Sequence, residues 1–126
     1  MIRKKKKFVR PRKAYVTKRI EEENELVKLY GLKNKREIWK TLAKVNYIRG
    51  RAKALAKSSR EEQEILFKKL RALGLKADSI ADVLDLKIED ILNRRLQTIT
   101  TKKGLANTTK HARQMVTHKR VLIGGK

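Results

Sequence analysis

All thirteen acidic residues of this 126-residue chain lie between Glu21 and Asp90, so both ends are basic without relief. Residues 1–19 carry ten Lys and Arg, from Arg3 to Arg19, and residues 94–126 carry nine more. The stretch between them holds sixteen bases against thirteen acids, so +19 of the net +22 sits in the two flanks. Unrelieved charge of one sign repels itself and destabilises a compact state unless an anion neutralises it. The polyanion that suits such flanks is nucleic acid, whose phosphates release condensed counterions as Lys and Arg replace them. One basic run alone is usually a solvated face or a targeting tail. Two acid-free flanks on so short a chain favour a nucleic-acid partner.

The length allows one domain, or two very small ones. Charged residues make up 38% and aromatics 5%, which implies a thin core under a charged surface. With no Cys there is no disulfide, no thiol chemistry and no Cys-based zinc site, as suits a reducing compartment. His111 and His118 stand two helical turns apart rather than one, so no metal is expected. No apolar stretch approaches membrane-spanning length, and no apolar run follows the N-terminal charges, so neither membrane nor secretory signal is expected. Cytosol is the default. No carboxylate, Ser or His constellation suggests catalysis; no enzyme activity, cofactor or small-molecule substrate is expected.

Residues 1–16 read as a basic extended arm without its own fold, ordered only on a partner. A helical domain follows over 17–93. Thr17 is expected to cap a helix to Tyr30, with Glu21, Glu22 and Glu23 as stabilising acids near its positive end and Gly31 closing it. Asn34 and Glu37 resemble a capping box for the longest helix, about 35–57. Ile38, Leu42, Val45, Ala52 and Leu55 would form its apolar stripe, with Lys40, Lys44, Tyr47 and Arg51 on another face. Gly50 inside it suggests a bend or close contact. Ser59 and Glu62 suggest a second box for a helix over 60–73, closed by Gly74. A short helix starts at Asp78 or Ser79. Another runs from Ile88 to Lys103, interrupted near Arg94, with Leu92, Leu96 and Ile99 inward. Asn107 or Thr108 caps the last helix, to about His118, and residues 121–123 read as a strand.

The last two helices carry the most information. Ala112, Met115 and Val116 face inward, whereas Lys110, Arg113, Gln114 and Thr117 recur at i, i+3, i+4 and i+7 on the other side. Arg95 and Lys102, two turns apart on the preceding helix, can reach the same surface. Arg offers bidentate phosphate contacts and Lys a point charge, while Gln, Thr and Asn donate to phosphate or 2′-hydroxyl groups. The free amides near Thr108 and Thr109 add an anion site.

The segment RRLQTITTKKGLANTTKHARQMVTHKRVLIGGK, residues 94–126, resembles the RNA-binding motif named after small-subunit ribosomal protein four. Arg95, Leu96, Gly104, Leu105, Ala106, Ala112, Arg113, Gln114, Val116, His118, Val121 and Gly125 match its pattern. Two further stretches, YGLKNKREIW from Tyr30 and LKIEDILNRRLQT from Leu86, resemble the archaeal and eukaryotic branch of that protein family. The resemblance covers nearly the whole chain from residue 10. It implies a mainly α fold, with a helical body followed by a two-helix RNA-binding motif and a short terminal strand or hairpin, plus the basic arm. It implies a structural protein of the small ribosomal subunit, cytoplasmic in the ribosome. Such a protein binds small-subunit ribosomal RNA directly and early in assembly, at a junction of helices in the 5′ domain. Neighbouring ribosomal proteins would be its other partners, near the channel by which messenger RNA enters. Carried over, the RNA face comprises Arg95, Lys102, Lys103, Thr108, Lys110, Arg113, Gln114 and His118. Lys33, Asn34, Lys35 and Arg36 add contacts, and Lys4, Lys5, Arg10, Arg12 and Lys13 do so from the arm.

Two departures bear on the fold. The family continues past the position of Lys126 into the second half of a hairpin and a tail, so a strand at 121–123 is expected to lack its partner. Lys119 and Arg120 stand where the family often has His-Gly, so the turn into the strand is expected to differ. Trp39 and Tyr47 are read as packing residues before base-stacking ones, and His111 as surface. Tyr15 and His118 are each read equally as an RNA contact or a plain surface or capping residue. Two other functions fit a basic chain with this motif: an accessory RNA-binding part of an RNA-modifying or tRNA-charging enzyme, and a DNA-compacting architectural protein.

Overall fold

A computed structural model describes residues 4–126; Arg3, the first base of the arm, lies outside the described residues. Seven helices make up its regular structure: α1 (Thr17–Tyr30), α2 (Lys35–Leu55), α3 (Arg60–Ala72), α4 (Ile80–Asp85), α5 (Ile88–Asn93), α6 (Leu96–Lys102) and α7 (Thr109–Thr117). The mainly α expectation holds, including the break at Arg94, which separates α5 from α6. The residues form two compact units. One takes the arm up to Arg10 and Trp39–Arg94; the other takes Pro11–Ile38 and Arg95–Lys126. In this clustering α1 and the first turn of α2 group with α6 and α7.

The first unit is built on a core of Val45, Ile48 and Ala52 from α2, Leu66, Phe67 and Leu70 from α3, and Val83, Leu86 and Ile91 beyond. Val45, Ile48 and Ala52 follow helical spacing, so one side of α2 can lie on the others' apolar faces. Leu42, expected in the stripe, is largely exposed, and Ile48 takes a buried place instead. α3 ends on Gly74 at φ +79, with Leu75 N–H bonded to the Leu70 carbonyl and Gly74 N–H to that of Arg71. This left-handed cap is one that glycine adopts without steric cost. Ser79 caps α4 in a full capping box: its hydroxyl accepts from Asp82 N–H at 3.2 Å, and Asp82 accepts from Ser79 N–H at 2.9 Å. At α3 no such box forms, since the Ser59 side chain makes no cap bond. The same holds at α1, where Val16 is the N-cap residue and Thr17 is already helical.

Gly50 sits within α2 with no atom outside its own stretch of helix within 4 Å of where a Cβ would stand, so no close contact explains it. Its only effect is on backbone entropy. Gly50→Ala is therefore expected to stabilise the protein by about 1 kcal/mol, read as a raised denaturation midpoint. In the arm, Phe8 sets its ring 6.1 Å from that of Trp39 in the same unit. The arm was expected to have little that could pack; Phe8 is one residue of it that does. Tyr47, by contrast, is 63% exposed, which overturns its reading as a packing residue.

In the second unit α7 packs on α6 and touches α1. Leu32, Ile38, Ala106 and Ala112 are buried, together with Gln97, Thr98 and Thr100. The expected inward face of the α6 region is corrected here. Ile99 is 38% exposed, and the buried side is polar. Its polar atoms find partners: Gln97 donates to the Tyr30 carbonyl at 3.2 Å, and Thr100 donates to the Leu96 carbonyl at 2.8 Å. A buried polar side is tolerated when it is hydrogen-bonded.

The strand expected at 121–123 is not formed; among the described residues there is no strand. A strand needs a neighbour to take its N–H and C=O groups, and only one pairing exists. Ile123 and Lys126 exchange both backbone bonds, at 2.9 and 3.1 Å, across Gly124 at φ +59 and Gly125 at φ +81. Two successive positive φ values are those of a hairpin turn matched to strand twist. The turn is present without its ladder.

Candidate nucleic-acid interface

The second unit carries sixteen basic residues against five acidic ones, and all five acids fall between Glu21 and Glu37. α7 starts at Thr108, whose hydroxyl accepts from His111 N–H at 3.1 Å, and it ends in a left-handed cap. Lys119 N–H bonds the Val116 carbonyl and Arg120 N–H that of Met115, with Lys119 at φ +56. A lysine there costs about 1–2 kcal/mol relative to glycine. The expected change at the Lys119-Arg120 turn is thus a side chain held in a conformation that suits glycine.

Two contacts bring residues 33–36 beside α7. At one end, Gly31 lies so near the start of α7 that an added Cβ would stand 2.8 Å from the Lys110 nitrogen. At the other, Glu37 receives both guanidinium arms of Arg113, Nη1 to Oε2 at 3.0 Å and Nη2 to Oε1 at 2.8 Å. Arg95 Nη1 joins the same carboxylate at 3.0 Å. A basic segment more than seventy residues away in sequence is thereby pinned beside this helix through Glu37.

Not every expected residue is equally available. Lys33, Asn34, Arg36, Lys102, Lys103, Lys110, Gln114 and His118 are exposed. Lys35 is half-buried, with its ammonium 3.5 Å from Glu23. Glu23 is 6% exposed and also receives Arg19 at 2.9 Å. It is therefore a buried ion-pair partner, where only a stabilising acid near the helix start was expected. Glu37 likewise receives two arginines on its carboxylate. Arg95 and Arg113, about a third exposed, serve as links within the unit as well as cations on its surface. Arg12 and Lys13 are exposed, and the carbonyls of Lys13 and Ala14 accept from Arg19 at 3.0 and 2.8 Å, which fixes the chain before α1. Lys4, Lys5 and Arg10, also exposed, belong to the other unit. Arg120 was not among the expected site residues. The left-handed cap turns the chain back so that Arg120 lines a groove of about 210 Å³ with His111, Gln114, Met115 and His118. No periodicity signals it, because it follows the helix.

Burial alone would raise the Glu37 carboxyl, but hydrogen bonds from Arg113 and then Arg95, with their charges, hold it below the ordinary value of 4.5. A depressed carboxylate contributes stability that is fully present above the unfolded value and is lost as pH falls through the folded one. Glu37→Gln should accordingly lower stability near neutral pH by about 1–2 kcal/mol, after discounting for partial exposure. The gap to the wild type should close on acidification below pH 4.5 in parallel denaturant titrations. A gap independent of pH would remove the charge pairing as its cause.

The S4 domain family matches residues 94–126, which span α6, its connection and α7. Along the whole chain, 40% of 130 aligned positions are identical to small ribosomal subunit protein uS4 of Thermoplasma volcanium, covering 96% of this chain and 65% of that protein. For uS4 of Ignicoccus hospitalis the identity is 43%, over 96% of this chain and 76% of the relative. The chain belongs to the small ribosomal subunit protein uS4 family. The uS4 of Methanothermobacter thermautotrophicus agrees, at 43% identity over 96% of this chain and 74% of its own length. These archaeal relatives carry the names of ribosomal proteins, not of enzymes. The match extends well beyond the S4 domain into α1–α5, the part that a domain shared among unrelated proteins would not explain.

Proposed function

We propose that this uS4-family chain is a structural constituent of the small ribosomal subunit, located in the cytoplasm within the ribosome. It binds small-subunit ribosomal RNA directly and takes part in early assembly. The observation that carries the reading is the match to uS4 along 96% of the chain. The interface is the S4-domain face, with Lys102, Lys103, Lys110, Gln114 and His118 beside Lys33, Asn34 and Arg36. Arg95, Arg113 and Lys35 support it from their ion pairs, and Thr108 by capping α7. Lys4, Lys5, Arg10, Arg12 and Lys13 of the arm add RNA contacts of their own. Neighbouring small-subunit proteins are its further partners.

The test is affinity for a folded 5′-domain fragment of small-subunit ribosomal RNA. Arg113→Ala is expected to weaken binding by about 1–3 kcal/mol in a filter-binding assay. Because Arg113 also anchors Glu37, the helical signal of the variant must be recorded alongside. Unchanged affinity would count decisively against this face. Duplex DNA competing as well as the RNA would favour the architectural reading, and turnover of any RNA by the chain would favour the enzymatic one.

A further inference from the structure

In the first unit, α2 and α3 leave a groove of about 490 Å³ between them. Its floor is aliphatic: Ile48, Leu66, Leu70 and Leu73. On its lips stand two large side chains that fold into nothing, Tyr47 at 63% and Ile65 at 56% exposure. Around these lie Lys44, Arg51 and Lys69, opposed by the single acid Glu62. We propose that this groove docks an amphipathic helix of a neighbouring protein that presents an aliphatic stripe flanked by acidic residues. The proposal rests on the ribosomal reading only for the existence of protein neighbours, and it gives that expectation a surface.

Three observations choose this occupant. Exposed aliphatic and aromatic side chains beside an apolar floor mark an interaction site, and side chains at helical spacing fill such a groove. The rim is three cations to one anion, so the complementary flank is acidic. The Lys44 ammonium is already held below the ordinary lysine value, by burial and then by Arg94, so a facing carboxylate relieves a standing cost. RNA fits the groove less well. Bases stack on aromatic faces, and the one aromatic residue here is Tyr47, whose hydroxyl accepts from Arg51 at 3.4 Å.

The experiment uses the full chain, isotope-labelled, with three synthetic helical peptides. The first carries a Leu/Ile stripe with Glu flanks, the second the same stripe with Lys flanks, and the third the Glu flanks with the stripe changed to Ser. The first should shift resonances of α2 and α3 and bind about tenfold or more tightly than either other. Ile65→Asp, at an exposed position that keeps the helical signal, should weaken it about tenfold or more. The paired change Lys44→Glu and Lys69→Glu should transfer preference to the Lys-flanked peptide. Ribosomal RNA affinity of Ile65→Asp should be unchanged, which keeps this test separate from that of the RNA face. Equal binding of the Ser-striped peptide, or shifts elsewhere on the chain, would overturn the proposal. So would a Tyr47→Ala variant that loses RNA affinity but keeps the peptide, since the groove would then belong to RNA.

Discussion

Gly31→Ala should destabilise the protein by about 2–5 kcal/mol, the largest loss expected here from replacing a single hydrogen with a methyl group. Two effects add. Gly31 has φ +60, where a side chain costs about 1–2 kcal/mol. Its Cβ would also stand 2.8 Å from both Lys110 N and Thr109 C, backbone atoms that cannot swing aside. Either α7 moves or the end of α1 does, and the overpacking adds about 1–3 kcal/mol. Denaturant unfolding measures the sum. Amide exchange should show the loss concentrated around residues 30–32 and 108–112. A variant within about 0.5 kcal/mol of the wild type would mean that α1 and α7 are not in this contact. The contrast with Gly50, where alanine meets open space, keeps the argument from being one about glycine in general.

Removing three charges together, Lys33, Lys102 and Lys110 to Ala, should weaken ribosomal RNA binding roughly a hundredfold at physiological salt. All three side chains are exposed, so the fold should survive. The diagnostic is the salt dependence rather than the loss itself. Each phosphate contact contributes about 0.9 to the slope of log affinity against log salt, so the triple variant should flatten it by about 3. A hundredfold loss with an unchanged slope would mean that the substitutions damaged the fold. An unchanged affinity would mean that the RNA lies on another face.

Local signals were readable where the chemistry is local. Gly31 and Gly74 close helices as their positions suggest, Thr108 caps α7, and Arg94 marks a real break. The failures share one cause. Ser59 and Thr17 had the right residue type for caps, but their side chains make no cap bond. Ile99 had apolar character at helical spacing, yet the α6 side that faces inward is held by Gln97 and Thr100. Glu23 and Glu37 looked like ordinary helix-start acids, whereas each neutralises cations brought to it by folding.

The charge map, the seven-helix outline and the family pattern over residues 94–126 follow from the linear order of residues, because charge and helical period are properties of neighbours in sequence. That Glu37 would gather Arg95 and Arg113, that residues 33–36 would lie along α7, and that Tyr47 and Ile65 would be left outside were decided only in three dimensions. Each depends on which surfaces meet. A pairing energy of about 1 kcal/mol between distant residues leaves no periodic trace in the chain that carries them.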